Sequence, residues 1–294
     1  MIRLEIDKSH LAHGHHLFFT GICLSICVAG QAAASFVSVG QSNLGVDTAN
    51  GIACSDTNFY TTGRISGDSS THYIDVHDSG YSHVGTIDFP ATSFGGFALA
   101  LRGAAYDEAT NTLLVVEFDT NNQILREVGL DGALINSIDP AHGAFLNGVA
   151  VSPDDGSLWF AYWDGTVEHF DRSGTFLGGF AAAGRQWTSI DIDPVSGTLL
   201  LLDGSANNDA LYEYDTSGVY VGAPILIDMI ANEGFGICYD ETTATLHAIG
   251  SPGLFGDPPA VVSVFQDPSR PVVPEPASLA MLGLGAMLVR RRRA

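Results

Sequence analysis

The sequence predicts an all-β protein, a β-propeller of about five four-stranded blades closed by an N-terminal strand, with a sixth, degenerate blade as the alternative. Three observations predict it. The 294 residues are 46% apolar and only 15% charged, with 34 glycines and 12 prolines, a composition that excludes disorder and argues against a long helical bundle. A short apolar run led by a small residue recurs five times. Within each repeat, further runs separated by turn residues supply the remaining strands of a blade.

The five inner-strand segments are Gly51-Ile52-Ala53-Cys54, Gly103-Ala104-Ala105-Tyr106-Asp107, Gly148-Val149-Ala150-Val151-Ser152-Pro153, Ser189-Ile190-Asp191-Ile192-Asp193-Pro194 and Gly236-Ile237-Cys238-Tyr239-Asp240. Their starts lie 41 to 52 residues apart, the interval of propeller blades. Second runs follow at 113–116, 158–161, 199–202 and 246–249. Third runs alternate apolar and polar residues before an Asp-x-x-Gly-like turn, as in Val167 to Gly174 and Leu211 to Gly218. Fourth runs are read at Thr175 to Phe180 and Val219 to Val221. The last unit ends after its third run, 260–265, at the Pro-rich stretch from Asp267. Ser35 to Val39, a lone strand-forming segment, is therefore expected to pair with the last blade and cover its edge. Phe89 to Leu101 has no clear assignment and leaves room for a sixth blade.

In such a ring, the loops entering the inner strands and those leaving the second strands open on one face. The residues placed there are Asn50, Arg102, Asn147, Thr188 and Phe235, and then Gly63, Glu117, Tyr162, Asp203 and Gly250. Glu117, Asn147 and Asp203 offer oxygen donors of the kind that hold Ca²⁺ or sugar hydroxyls. The competing reading is that Asn and Asp beside Gly are turn formers. Trp159, Trp163 and Trp187, with Tyr162, are either a sugar-stacking platform or core, and their alternation along one strand puts at least one group between blades. Gly-x-Ser-x-Gly, His-Glu-x-x-His and Cys-x-x-Cys are absent, which removes the usual support for covalent or zinc-hydrolase chemistry. Cys54 and Cys238 occupy inner strands of the first and last units. A disulfide and two buried thiols are both open readings.

The ends read as addresses. Leu17 to Ala29 is an apolar run followed by Gln31-Ala32-Ala33-Ala34-Ser35, a secretory signal expected to be cut by signal peptidase after Ala34. The expected order is signal peptide 1–34, propeller 35–266, linker 267–276 and C-terminal segment 277–294. The span 35–270 holds six arginines and no lysine against thirty carboxylates, a net of −24, so nucleic acid is excluded as a partner. Pro274, Glu275 and Pro276 precede the apolar run 277–289 and the cluster Arg290 to Arg293. Thirteen helical residues reach only about 20 Å, short of a bilayer core of about 30 Å, so contact with the membrane is expected to be transient.

This arrangement resembles the PEP-CTERM sorting signal of exported bacterial proteins. The resemblance implies an exosortase that recognises Pro-Glu-Pro and removes the tail, a location at the cell surface or outside it, and an association with exopolysaccharide. The repeats resemble NHL and gluconolactonase-like (SMP-30) propellers, most closely from Asn147 to Gly156 and on to Asp171. That second resemblance implies a divalent-metal site in the channel that includes an Asn before such a Gly, and only Asn147 matches by motif. The function expected is a non-enzymatic binding or structural protein whose partner is a matrix polysaccharide or a surface protein. The alternative is a metal-dependent hydrolase.

Overall fold

The computed structural model describes residues 37–44, 49–63, 71–90, 100–118, 123–204, 210–221, 224–226, 233–251 and 260–266. The signal segment 1–34, the linker 267–276 with Pro274 to Pro276 and the tail 277–294 lie outside the described residues. Among those described, no helix is long and apolar enough to cross a membrane.

The chain is a five-bladed all-β propeller. Strand β1 (Val37–Asn43) precedes the first blade. Blade 1 is β2 (Gly51–Cys54), β3 (Asn58–Thr62), β4 (Thr71–Asp78) and β5 (His83–Pro90). Blade 2 is β6 (Ala100–Asp107), β7 (Thr112–Phe118), β8 (Gln123–Gly129) and β9 (Leu134–Ile138). Blade 3 is β10 (Leu146–Val151), β11 (Leu158–Tyr162), β12 (Thr166–Phe170) and β13 (Phe176–Ala181). Blade 4 is β14 (Trp187–Ile192), β15 (Leu199–Asp203), β16 (Ala210–Tyr214) and β17 (Ile225–Leu226). Blade 5 is β18 (Glu233–Asp240), β19 (Thr245–Ser251) and β20 (Val261–Gln266), with β1 antiparallel to β20 from Val37↔Gln266 to Asn43↔Val261. Blades 1 to 4 are antiparallel meanders of four consecutive strands, and the sheet of blade 5 has the order β1-β20-β19-β18. The residues left unassigned by sequence divide: Phe89 and Pro90 end β5, Leu101 lies in β6, and 91–99 are outside the described set.

Blade 4 departs from the sequence reading. Val219 to Val221 forms only a bridge, Tyr214↔Tyr220, and the fourth strand is Ile225–Leu226 instead. Asp215 closes a tight turn here, accepting the N–H groups of Ser217 and Val219 at 2.9 Å. Pro224 then interrupts the edge, since it has no N–H to donate to a ladder.

Five apolar cores lie between the blades, one at each interface. Leu101, Leu113 and Val115 meet Tyr60 and Ile74 between blades 1 and 2. Leu146, Phe160 and Tyr162 meet Leu114 and Val116 between 2 and 3. Trp159 meets Trp187 and Tyr212 between 3 and 4, and Leu200 meets Ile237 between 4 and 5. Ile52 and Phe59 meet Ile249 and Val262 between 5 and 1. The alternation along β11 thus buries both of its faces, Trp159 and Ala161 on one side and Phe160 and Tyr162 on the other.

The small residue at the head of each repeat has a cause in this ring. Inner strands converge on the axis, and a Cβ on Gly103 would lie 2.3 Å from the Asn147 carbonyl oxygen of the next blade. A Cβ on Gly148 would come within 2.8 Å of the Ile190 nitrogen. Both neighbours are backbone and cannot step aside.

Candidate functional site: the channel rim

The rim is built from β-bulges. In blades 2 to 5 the pairing of inner and second strands slips between Leu101 and Ala104, Leu146 and Gly148, Trp187 and Ser189, and Gly234 and Gly236. The residues thrown out of register include Arg102, Asn147, Thr188 and Phe235, the set placed at the rim from sequence. A bulge re-aims its side chain out of the ladder, and here two, Arg102 and Asn147, turn sideways to the next blade.

The result is a polar girdle across four blades. Asn50 Nδ2 donates to the Leu101 carbonyl at 3.4 Å, Arg102 Nη1 donates to Asn147 Oδ1, and Asn147 Nδ2 donates to the Trp187 carbonyl at 2.8 Å. Thr188 turns back to its own blade and donates to the Leu202 carbonyl at 3.3 Å. Gly63 accepts the Leu101 N–H at 3.2 Å.

The second set sits opposite in the ladders, with Leu101↔Glu117, Leu146↔Tyr162 and Trp187↔Asp203. Glu117 is buried and ion-paired to Arg126 at 2.7 Å. Asp203 is buried, faces Arg185 at 3.2 Å and accepts the Gln186 N–H at 3.3 Å. Arg185 also covers the Tyr212 ring and donates to its hydroxyl at 2.6 Å. A cation held by Glu117, Asn147 and Asp203 therefore has to displace contacts already made to three arginines, and these residues as placed do not form a ready cation cage. Among the described residues no group of three His, Cys, Asp or Glu is arranged to hold a metal ion.

Tyr162 is fully buried at the head of a cluster that sequence reasoning missed. His142 lies 4.0 Å from its ring and bridges Glu168 (Nδ1, 3.1 Å) and Asp164 (Nε2, 3.4 Å). Burial, then the Glu168 carboxylate, push the Tyr162 hydroxyl far above its ordinary pKa. The only local signal was Asp139-Pro140-Ala141, a turn in which Ala141 takes φ +53° and donates to Asp139. Nothing in sequence spacing pairs His142 with Glu168.

Two further features lie away from the rim. At the opposite end of the inner strands is a cavity of about 440 Å³ lined by Asp56, Tyr106, Asp107, Glu108 and Asp240 among others. Asp107 there is tied to Arg172, which also holds Glu127 at 2.9 Å. At the seam between blades 5 and 1, Cys54 and Cys238 form a disulfide with Cα atoms 5.9 Å apart. Beside it the Tyr81 hydroxyl meets His247 Nδ1 at 2.5 Å, while Thr245 meets Nε2 at 2.8 Å. Burial lowers the His247 pKa to about 4.

Residues 272–293 match the model of the PEP-CTERM protein-sorting motif. The C-terminus carries this motif, and it marks the chain as an exported bacterial protein sorted to the cell surface, with exosortase processing implied. No curated protein matches the chain. Among solved structures, a chain of a mitotic checkpoint complex is similar at 16% identity and a TM-score of 0.46, with 74% of this chain and 61% of that one covered. A protein of unknown function from Bacteroides caccae is similar at 12% identity and a TM-score of 0.45, covering 68% and 69%. This chain thus spans less than two thirds of the first of these.

Proposed function

We propose that the mature protein is a non-enzymatic propeller that binds a component of the extracellular polysaccharide matrix. The observation that supports this most is the commitment of the rim. Asn147 holds the neighbouring blade, Glu117 the buried Arg126 and Asp203 the partly exposed Arg185, and none is presented as a free base or nucleophile. In this reading signal peptidase cuts after Ala34, the segment 277–289 holds the chain at the inner membrane until exosortase acts near Pro274-Glu275-Pro276, and β1 closes the ring on blade 5. The kinship of the blades to NHL and SMP-30 propellers is part of the same reading and extends to architecture only.

The test sets this against a metal-dependent lactone hydrolase on Glu117, Asn147 and Asp203. Purified protein is assayed for lactone hydrolysis and for melting with and without Ca²⁺ or Zn²⁺, and for retention on exopolysaccharide isolated from the host. Retention without metal-dependent turnover is the expected result. Turnover that needs the metal and is lost in both Asn147→Ala and Asp203→Ala overturns the proposal.

A further inference from the structure

Four arginines are described in the ring, and three have carboxylate partners: Arg126 with Glu117, Arg172 with Asp107 and Glu127, and Arg185 with Asp203. The fourth, Arg102, has none among the described residues, in a span with thirty carboxylates. Its guanidinium lies over the Phe118 ring at 3.8 Å and donates one Nη to the neutral amide of Asn147. The acid nearest in the ladder, Glu117, gives its carboxylate to Arg126 on the neighbouring strand.

A guanidinium in such surroundings is costly. Removing a cation from water is repaid only by a counter-charge or a full set of hydrogen bonds. Arg102 has one amide and one aromatic face, and burial alone lowers its pKa to about 10. It is nevertheless only half-buried, so an edge of the fork stays open to solvent at the rim. Five N–H donors in a planar fork match a carboxylate in two-point geometry. Next to it Phe145, 42% exposed, stands edge-on to Phe118 with ring centroids 5.2 Å apart. A fork with no carboxylate partner among the described residues, beside an exposed aromatic ring, suits a ligand with a carboxylate on an apolar-faced ring.

We propose that Arg102 anchors a carboxylate-binding subsite at the channel rim, and that its ligand is a hexuronic acid residue of an acidic polysaccharide, with the sugar face on Phe145. The inference rests on the matrix-binding reading above and narrows it from polysaccharide in general to uronate-bearing polysaccharide. It carries an unusual salt dependence. The net charge of the domain repels an anionic chain over a Debye length of about 30 Å at 0.01 M salt but only about 10 Å at 0.1 M. The close contact at Arg102 is screened much less. Binding should therefore strengthen between these two salt concentrations, the reverse of ordinary attraction to a basic surface.

Calorimetric titration of the mature protein with trigalacturonate, galactotriose and acetate tests the inference. Trigalacturonate should bind at least tenfold more tightly than galactotriose, and acetate should compete weakly for the same site. Arg102→Gln, with unchanged circular dichroism, should erase the preference, and Arg102→Lys should lose most of it because a point charge replaces the fork. Equal binding of the two trisaccharides by the wild-type protein overturns the inference with no variant needed and leaves the matrix-binding reading standing. A preference that survives Arg102→Gln also overturns it. Acetate binding as tightly as trigalacturonate overturns the saccharide assignment, and failure of host exopolysaccharide to bind at all overturns both.

Discussion

The interface between blades 3 and 4 and the seam between blades 5 and 1 perform the same task with different chemistry. Blades 3 and 4 are consecutive in the chain, and they are joined by packing: Trp159, Trp187 and Tyr212 fill the gap, Trp187 Nε1 donates to the Gly165 carbonyl at 2.9 Å, and Asn147 reaches across to the Trp187 carbonyl. Blades 5 and 1 come from opposite ends of the propeller sequence. Their core, Leu44, Ala49, Ile52, Phe59, Cys238, Ile249, Ala260 and Val262, holds one aromatic ring and no tryptophan, and to it are added a disulfide, the Tyr81–His247 hydrogen bond and a hydroxyl bond from Thr242 to Asp56 at 3.0 Å. Chain connection keeps consecutive blades together in the unfolded ensemble, whereas the seam must bring distant residues together and bears that entropy itself. The difference teaches that this ring is most sensitive to chemistry at its seam and most sensitive to shape elsewhere.

Reduction should have the largest effect. The disulfide joins residues 184 apart, and the loop-entropy estimate for such a closure is about 5 kcal/mol. The Cys54→Ser, Cys238→Ser variant should melt roughly 10 to 20 °C below the oxidised protein in calorimetry. A drop confined to a few degrees would mean that the noncovalent seam is sufficient.

Shape should dominate on the other side of the comparison. Gly103→Ala places a methyl group against the Asn147 carbonyl, an overpacking that costs about 1 to 3 kcal/mol or more where backbone must move. Urea unfolding should show it, and full stability would mean that the inner strands can spread.

The seam should also respond to acid. His247 has a native pKa of about 4 against 6.5 when free, so its contribution is complete above pH 6.5 and is lost as pH falls from 6.5 to 4, about 3 kcal/mol over the window. Asp191 works in the opposite direction. Burial raises its carboxyl to about 7 although the Tyr239 and Ile192 N–H groups pull it back, so its effect on stability improves as pH falls from 7 towards 3.8. The wild-type profile should be shallow because the two oppose each other, and Asp191→Asn should steepen the acid loss. Unfolding curves at pH 4 and 6.5 check this, parallel profiles for the two proteins would remove Asp191 from the account, and an Asp191→Asn protein no less stable at pH 4 than at 6.5 would remove His247.

Trp187→Phe should have the smallest effect, about 0.5 to 1.5 kcal/mol from loss of the indole N–H bond, because the Gly165 carbonyl keeps the Ala182 N–H at 2.9 Å. Denaturant midpoints measure it. A neutral result would show that the ring volume alone holds blades 3 and 4.

Sequence made the ring legible because its geometry demands small residues at fixed intervals: Gly51, Gly103, Gly148, Ser189 and Gly236 lie in the inner strands, and at the four glycines a Cβ would meet atoms of the adjacent blade. Four of the residues before those positions, Arg102, Asn147, Thr188 and Phe235, fall in the bulges, whereas Asn50 does not. What they do there was not legible. Asn147 reads as a turn former or ligand until Arg102 and Trp187 are seen on either side of it, and those partners come from adjacent blades. Tyr81 and His247 lie 166 positions apart, so only closure of the ring brings them together. The fourth strand of blade 4 was misplaced because Val219 to Val221 has strand-forming residues, while the tight turn at Asp215 leaves them a single bridge, Tyr214↔Tyr220.

The central claim is a processed, exported ring fastened at its seam, and intact-mass analysis of protein recovered from the native host tests it most directly. The account predicts a chain running from about Ser35 to near Pro274, whose mass rises by two hydrogens on reduction. A mass that retains Arg290 to Arg293, or one that reduction leaves unchanged, would contradict it.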